Sequence, residues 1–133
     1  MKPLDGLRVL IVDDSEDSLE MACVALENAG ASVTCVATAE AGWAAFRGRR
    51  PSVVLCDLAM PDHDGYWLLA RIRALSPNAG GRVPVAALTA HASGGTRAKA
   101  LAAGFDKHFA KPIDPLDLVQ AVSELVSNGS RGA

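Results

Sequence analysis

No apolar run in this sequence approaches the roughly 18 residues that span a bilayer, and its opening, MKPLDGLRVL, has no apolar core of the kind that leads a secreted chain. The expectation is a cytoplasmic protein with no membrane insertion. Charge of one sign is equally scarce: 13 Lys and Arg against 15 Asp and Glu leave a formal net charge of −2, with both signs scattered along the chain. A basic stripe or a polybasic cluster is therefore missing, so no nucleic-acid partner is expected and recognition must be local. Cysteine is limited to Cys23, Cys35 and Cys56, an odd number without metal-site spacing, each inside an apolar segment. They read as small reduced core residues.

What the chain does have is enough apolar sequence for one core. With 133 residues, 50% hydrophobic and 21% charged, it is too short for two ordinary domains and far from the disordered classes. RVLIV (8–12), SVVLC (52–56) and VPVAAL (83–88) are nearly continuous apolar runs rich in β-branched residues. Such runs suit strands covered on both faces, as in a parallel sheet. ASVTCV (31–36) alternates more and KHFA (107–110) is short and partly polar, which places these two nearer the edges.

Helical patterns fill the gaps. Leu19, Ala22, Cys23 and Leu26 share one face, as do Leu69, Ile72 and Leu75. TAEAGWAAFR (38–47) starts on a Thr cap, and TRAKALAAG (96–104) ends on a glycine. Asp114 and Pro115 open a last helix with Leu118, Val119, Val122, Leu125 and Val126 on one stripe. Strand and helix alternate five times, which predicts an α/β doubly wound five-stranded parallel sheet with helices on both faces. SNGSRGA (127–133) reads as a flexible tail.

Ligands of open α/β sheets bind outside the carboxyl ends of the strands. Those ends deliver Asp13 and Asp14 after the first run, Asp57 after the third, Thr89 after the fourth, and Lys111 with Pro112 after the fifth. Taken singly, each has an ordinary reading: helix cap, turn residue, strand-end cap or loop. Their joint placement points to chemistry. Three carboxylates on one rim repel one another unless a cation neutralises them, and an oxygen-only donor set favours Mg²⁺. A lysine and a hydroxyl beside them suit an incoming dianionic phosphoryl group, with Asp57 as its nucleophile. Trp43 and Phe46, at helix spacing, read as packing residues, and His63 is not expected to ligate metal.

VLIVDDSED, VVLCDLAMPDHDGY, VPVAALTAH and GFDKHFAKPID resemble the four signature blocks of the response-regulator receiver domain of two-component signalling. The resemblance covers roughly residues 7–126 and implies a receiver domain over 1–126, a flavodoxin-like (βα)5 fold with strand order 2-1-3-4-5, and a cis peptide between Lys111 and Pro112. It further implies that Asp57 accepts phosphate from a phosphohistidine of a histidine kinase or histidine phosphotransfer domain. Asp13, Asp14, Asp57 and the backbone carbonyl of Ala59 would hold Mg²⁺, while Thr89 and Lys111 meet the phosphoryl oxygens. The product would switch an interaction with a downstream protein in a phosphorelay. Such a domain is not an enzyme beyond its own phosphorylation and dephosphorylation, and GFDKHFAKP is similar to receivers attached to hybrid sensor kinases.

The chain departs from the family in places. Where the family has a Tyr or Phe switch residue, three positions before the lysine, this chain has His108, which predicts an altered output on the face of the fourth helix, fifth strand and fifth helix. Phe109 is expected on the opposite sheet face by strand alternation. Ala59 and His91 occupy the positions that tune dephosphorylation, predicting a long-lived phosphoryl group, and Ala90 leaves access to it open. Gly94 and Gly95 weaken the start of the fourth helix and predict local mobility. Two other readings stand beside the receiver: a receiver-like scaffold working without phosphorylation, and a Mg²⁺-dependent phosphohydrolase. The hydrolases of that kind need an acid where Ala59 stands, and the scaffolds lose an acid or the lysine, all of which are present.

Overall fold

The computed structural model describes residues 1–90 and 93–131, the side chains of 128–131 excepted. Five strands, β1 (Arg8–Val12), β2 (Ser32–Val36), β3 (Val53–Asp57), β4 (Val85–Thr89) and β5 (Lys107–Ala110), alternate with α1 (Glu16–Asn28), α2 (Ala39–Gly48), α3 (Gly65–Arg73), α4 (Gly94–Ala103) and α5 (Pro115–Arg131). The sheet order is β2-β1-β3-β4-β5, and every neighbouring pair is parallel. The two polar runs of the sequence are the two edge strands, where one side of the backbone faces away from the sheet.

Successive residues of a strand point to opposite faces, and the core divides accordingly. Leu10, Val12, Val54, Cys56, Val85 and Ala87 pack with Phe46, Leu68, Ile72 and Ala100 from α2, α3 and α4. Val9, Ile11, Val53, Leu55, Ala86 and Leu88 pack with Leu26, Leu118, Val122 and Leu125 from α1 and α5. Side-chain caps start the helices. Thr38 accepts from the Ala41 amide at 3.1 Å, Asp64 from Trp67 at 3.0 Å, Ser93 from Thr96 at 3.1 Å and Asp114 from Leu116 at 2.9 Å. Each satisfies a backbone N–H that the first helical turn leaves without a partner. Trp43 stacks on the buried Phe46 with ring centroids 6.0 Å apart, so this pair packs as the sequence suggests.

Two expectations are corrected. Cys23 and Cys35 are not separate reduced thiols: they are joined as a disulfide, with Cα atoms 6.7 Å apart, and only Cys56 is a free, buried cysteine. Spacing along the chain gave no hint, because the pairing arises when the β1–α1–β2 crossover lays the middle of α1 over the edge strand. Secondly, α5 runs on to Arg131, past the boundary drawn at 126, so the backbone of 127–131 is helical. A helix nucleated by a strong apolar stripe gains one hydrogen bond for each residue added, which outweighs weak local propensity. Residues 132 and 133 lie outside the described part of the chain.

Candidate functional site

The carboxyl ends of β1, β3, β4 and β5 gather the predicted residues at one rim. Asp57 is the last residue of β3 and Thr89 the last of β4, while Asp13 follows β1 and Lys111 follows β5. Asp13, Asp57 and Thr89 are the buried polar residues of the described chain, at 1%, 6% and 3% exposure, whereas Asp14 is exposed. One carboxylate oxygen from each of Asp13, Asp14 and Asp57 lies within 4.8 Å of the others. Lys111 Nζ donates to Asp13 Oδ2 at 2.9 Å and to Asp57 Oδ2 at 3.0 Å, bridging the two buried acids.

Backbone contacts fix the geometry. The Asp13 N–H donates to the Val36 carbonyl of β2 at 3.1 Å, and Asp13 Oδ1 accepts from the Ser15 amide at 2.9 Å, at the cap of α1. Asp57 Oδ1 accepts from the Ala59 amide at 3.2 Å. The Lys111 N–H donates to the Thr89 carbonyl at 2.8 Å, and the Lys111–Pro112 peptide is cis, as the resemblance implied. Gly65 at the start of α3 lies against β3 so closely that a Cβ there would stand 2.5 Å from the Asp57 carbonyl oxygen. Only glycine allows the helix to begin at that position without moving Asp57.

The electrostatics follow from burial. Loss of water pushes the Asp57 carboxyl up from 3.8 to about 6; Lys111 pulls it down by hydrogen bond and charge, the Asp13 charge pushes it up, and the Ala59 amide pulls it down. For Lys111, burial acts to lower the ammonium's pKa, but its hydrogen bonds to Asp13 and Asp57 and their charges prevail and hold it above the ordinary lysine range. The result is a buried acid that is mostly a carboxylate near neutral pH, facing an ammonium that stays charged.

Beside this cluster, Thr89 and Ala59 line an open groove of about 600 Å³ together with Met60, Asp64, Tyr66 and Lys99. His108 shares its sheet face with Ala87, its register partner on β4, and Phe109 packs into the opposite core with α1 and α5. The alternation read from sequence holds. His108 Nε2 is buried without a hydrogen-bond partner among the described residues. His63 stacks on Trp67 at 4.2 Å, with the Arg71 guanidinium 4.3 Å from the same ring, and takes no part in the acid cluster. His91 lies outside the described residues.

This chain belongs to the response regulator receiver domain family, which it matches over residues 9–123. Its strand order and helices are those of that signalling family, whose members serve two-component systems. It is 36% identical over 124 residues to an uncharacterised 14.6 kDa protein of Leptolyngbya boryana, covering 93% of each. It is 30% identical to hybrid signal transduction histidine kinase D of Dictyostelium discoideum, over 92% of this chain and 8% of the kinase. A solved CheY-like receiver domain protein from Methanospirillum hungatei superposes with a TM-score of 0.84 at 30% identity, over 96% of this chain and 98% of that one.

Proposed function

We propose that this chain is a phosphoacceptor: Asp57 takes a phosphoryl group from a phosphohistidine of a histidine kinase or histidine phosphotransfer domain, and the product switches a protein interaction within a cytoplasmic phosphorelay. The observation that carries this is the single ammonium held 2.9 and 3.0 Å from two buried carboxylates of different strands. A structural salt bridge needs one acid; two acids with a third beside them repel, and the arrangement makes sense for binding added cationic and phosphoryl groups.

The donor set fits Mg²⁺, since it offers only hard oxygen ligands: carboxylates of Asp13, Asp14 and Asp57, with the Ala59 carbonyl as a further candidate. When bound, the ion supplies the positive charge that lets anionic groups meet. The chain's own residues do the rest. The Asp57 carboxylate attacks phosphorus in line as the N–P bond of the donor breaks, and the imidazole leaves. Lys111 stands where its charge meets the transferred oxygens, and the Thr89 hydroxyl is the donor offered from β4. The aspartyl phosphate carries about −1.5 to −2 charges in place of the carboxylate's single charge, and reorganisation of β4 and β5 around it carries the signal. The function is assigned to residues 1–126, whose last helix continues to Arg131, and activity is limited to the chain's own phosphorylation and dephosphorylation.

Incubation with Mg²⁺ and a small acyl phosphate, read by intact mass, tests this. Wild type should gain one phosphate and Asp57→Asn none. Equal uptake by both, or uptake by neither, would defeat the assignment. Multiple turnover of phosphate esters would favour a hydrolase, and partner binding that ignores Asp57→Asn would favour a scaffold.

A further inference from the structure

We propose that Cys23 and Cys35 form a reversible redox-modification site, closed by exchange with a small disulfide, whose closure stiffens the β1–α1 turn that carries Asp13 and Asp14. Three observations converge. Cys23 sits in the middle of α1 and Cys35 near the end of β2, with Cα atoms 6.7 Å apart and both residues half-buried, within bridging range and within reach of a small thiol reagent. Cys56, by contrast, is wholly buried under α2 and α3 and is closed to such exchange. Next, β2 is an edge strand held by β1 alone, so its other side gains no support from the sheet.

The third observation is what α1 and β2 hold. Asp13 takes one backbone hydrogen bond from its N–H to Val36 at the end of β2, at 3.1 Å, and its Oδ1 accepts from Ser15 at the cap of α1, at 2.9 Å. Both elements that the disulfide joins hold this acid by a hydrogen bond, beside the one it accepts from Lys111. Closing the bond restricts relative motion of helix and edge strand, and with it motion of the turn between Val12 and Glu16 that both hold.

The chemistry balances by thiol–disulfide exchange. One cysteine thiolate attacks the small disulfide and expels a thiolate, leaving a mixed disulfide. The second cysteine thiolate attacks the protein-bound sulfur and expels the other half. The protein loses two thiol protons and two electrons, which convert the one small disulfide into two thiols. Excess reduced glutathione reverses each step.

The test uses the full chain equilibrated with reduced or oxidised glutathione, then denatured and alkylated. Its three cysteines should take three labels in the reduced form and one, on Cys56, in the oxidised form. Amide exchange at Asp13 and Ser15 should be about fivefold slower in the oxidised protein, at the low end of couplings between linked sites. Cys23→Ser should match the reduced protein in either buffer, and Cys56→Ser should keep the difference. Three labels after oxidation, or one label with unchanged exchange at both amides, would overturn the proposal. The further effect, about fivefold tighter Mg²⁺ binding by calorimetry in the oxidised form, rests on the phosphoacceptor reading. If neither form binds Mg²⁺ while the amides still slow, the redox site stands and that reading fails.

Discussion

Replacing Asp57 by Asn should stabilise the Mg²⁺-free protein at pH 7.5, even though it removes the proposed phosphoacceptor. Burial holds the Asp57 carboxyl at about 6 in the folded chain against an ordinary 3.8, so folding favours its protonated form. The sign follows from linkage. A carboxyl with a raised folded pKa supports stability below about 3.8, and that support is lost as pH rises through about 6. Between those limits the loss amounts to about 3 kcal/mol, at roughly 1.36 kcal/mol per tenfold change in proton affinity. A gain of about 1–3 kcal/mol is expected for the variant. Asparagine keeps the shape and an oxygen for Lys111 but carries no charge, so it escapes this loss. Urea unfolding with EDTA from pH 4 to 8 measures it: the two proteins should converge near pH 4 and separate above pH 6, with the variant more stable. Added Mg²⁺ should narrow the gap by binding wild type more tightly. A variant less stable at pH 7.5, or a difference that ignores pH, would refute the reasoning.

Lys111→Ala removes the cation that lowers the Asp57 pKa, so the Asp57 carboxyl should titrate above about 6 when followed by carbon NMR in EDTA, and phosphoryl uptake should be lost. A lower titration point would show that Lys111 does not set it. Gly65→Ala puts a methyl 2.5 Å from the Asp57 carbonyl oxygen, and urea unfolding should show a loss of about 1–3 kcal/mol together with slower phosphorylation. Gly94 and Gly95 occupy the first turn of α4, and amides of 93–98 should exchange faster than those of α5; equal protection would contradict this. Ala59 and His91 predict an aspartyl phosphate that outlasts minutes, checked by its decay on intact-mass spectra, and loss within seconds would refute it. Structures with and without a phosphoryl mimic should superpose at His108; a large inward swing would show that the imidazole acts as a rotamer switch.

Most of the fold was legible because two simple periods dominate this chain. RVLIV, SVVLC and VPVAAL are apolar at nearly every position, as a strand covered on both faces requires, and they became the three inner strands. The ends of those runs then placed Asp13, Asp57 and Thr89 on a common rim without knowledge of distances. Contacts that depend on helix placement were beyond reach. The Arg73 guanidinium donates to the Gly81 and Val83 carbonyls at 3.0 and 2.7 Å and pairs with Asp106 at 2.9 Å, tying α3 to the starts of β4 and β5. In the sequence it is one more arginine at a helix end. The Cys23–Cys35 link failed for the same reason, since a 12-residue separation carries no information about which side of α1 faces β2.

The site is stable in a limited sense. Two buried carboxylates share one ammonium, and the third acid faces them from the surface, so the folded chain carries an electrostatic cost that Lys111 and the Ser15 and Ala59 amides offset in part. Core packing on both sheet faces must supply that cost, because the acids lie at strand ends whose backbones are fixed by parallel pairing and cannot retreat. A fold relaxed around neutral groups would gain stability and lose the negative charge that the proposed metal site needs. On the proposed reading, the same unfavourable charge that makes Asp57→Asn a stabilising change would favour a bound cation.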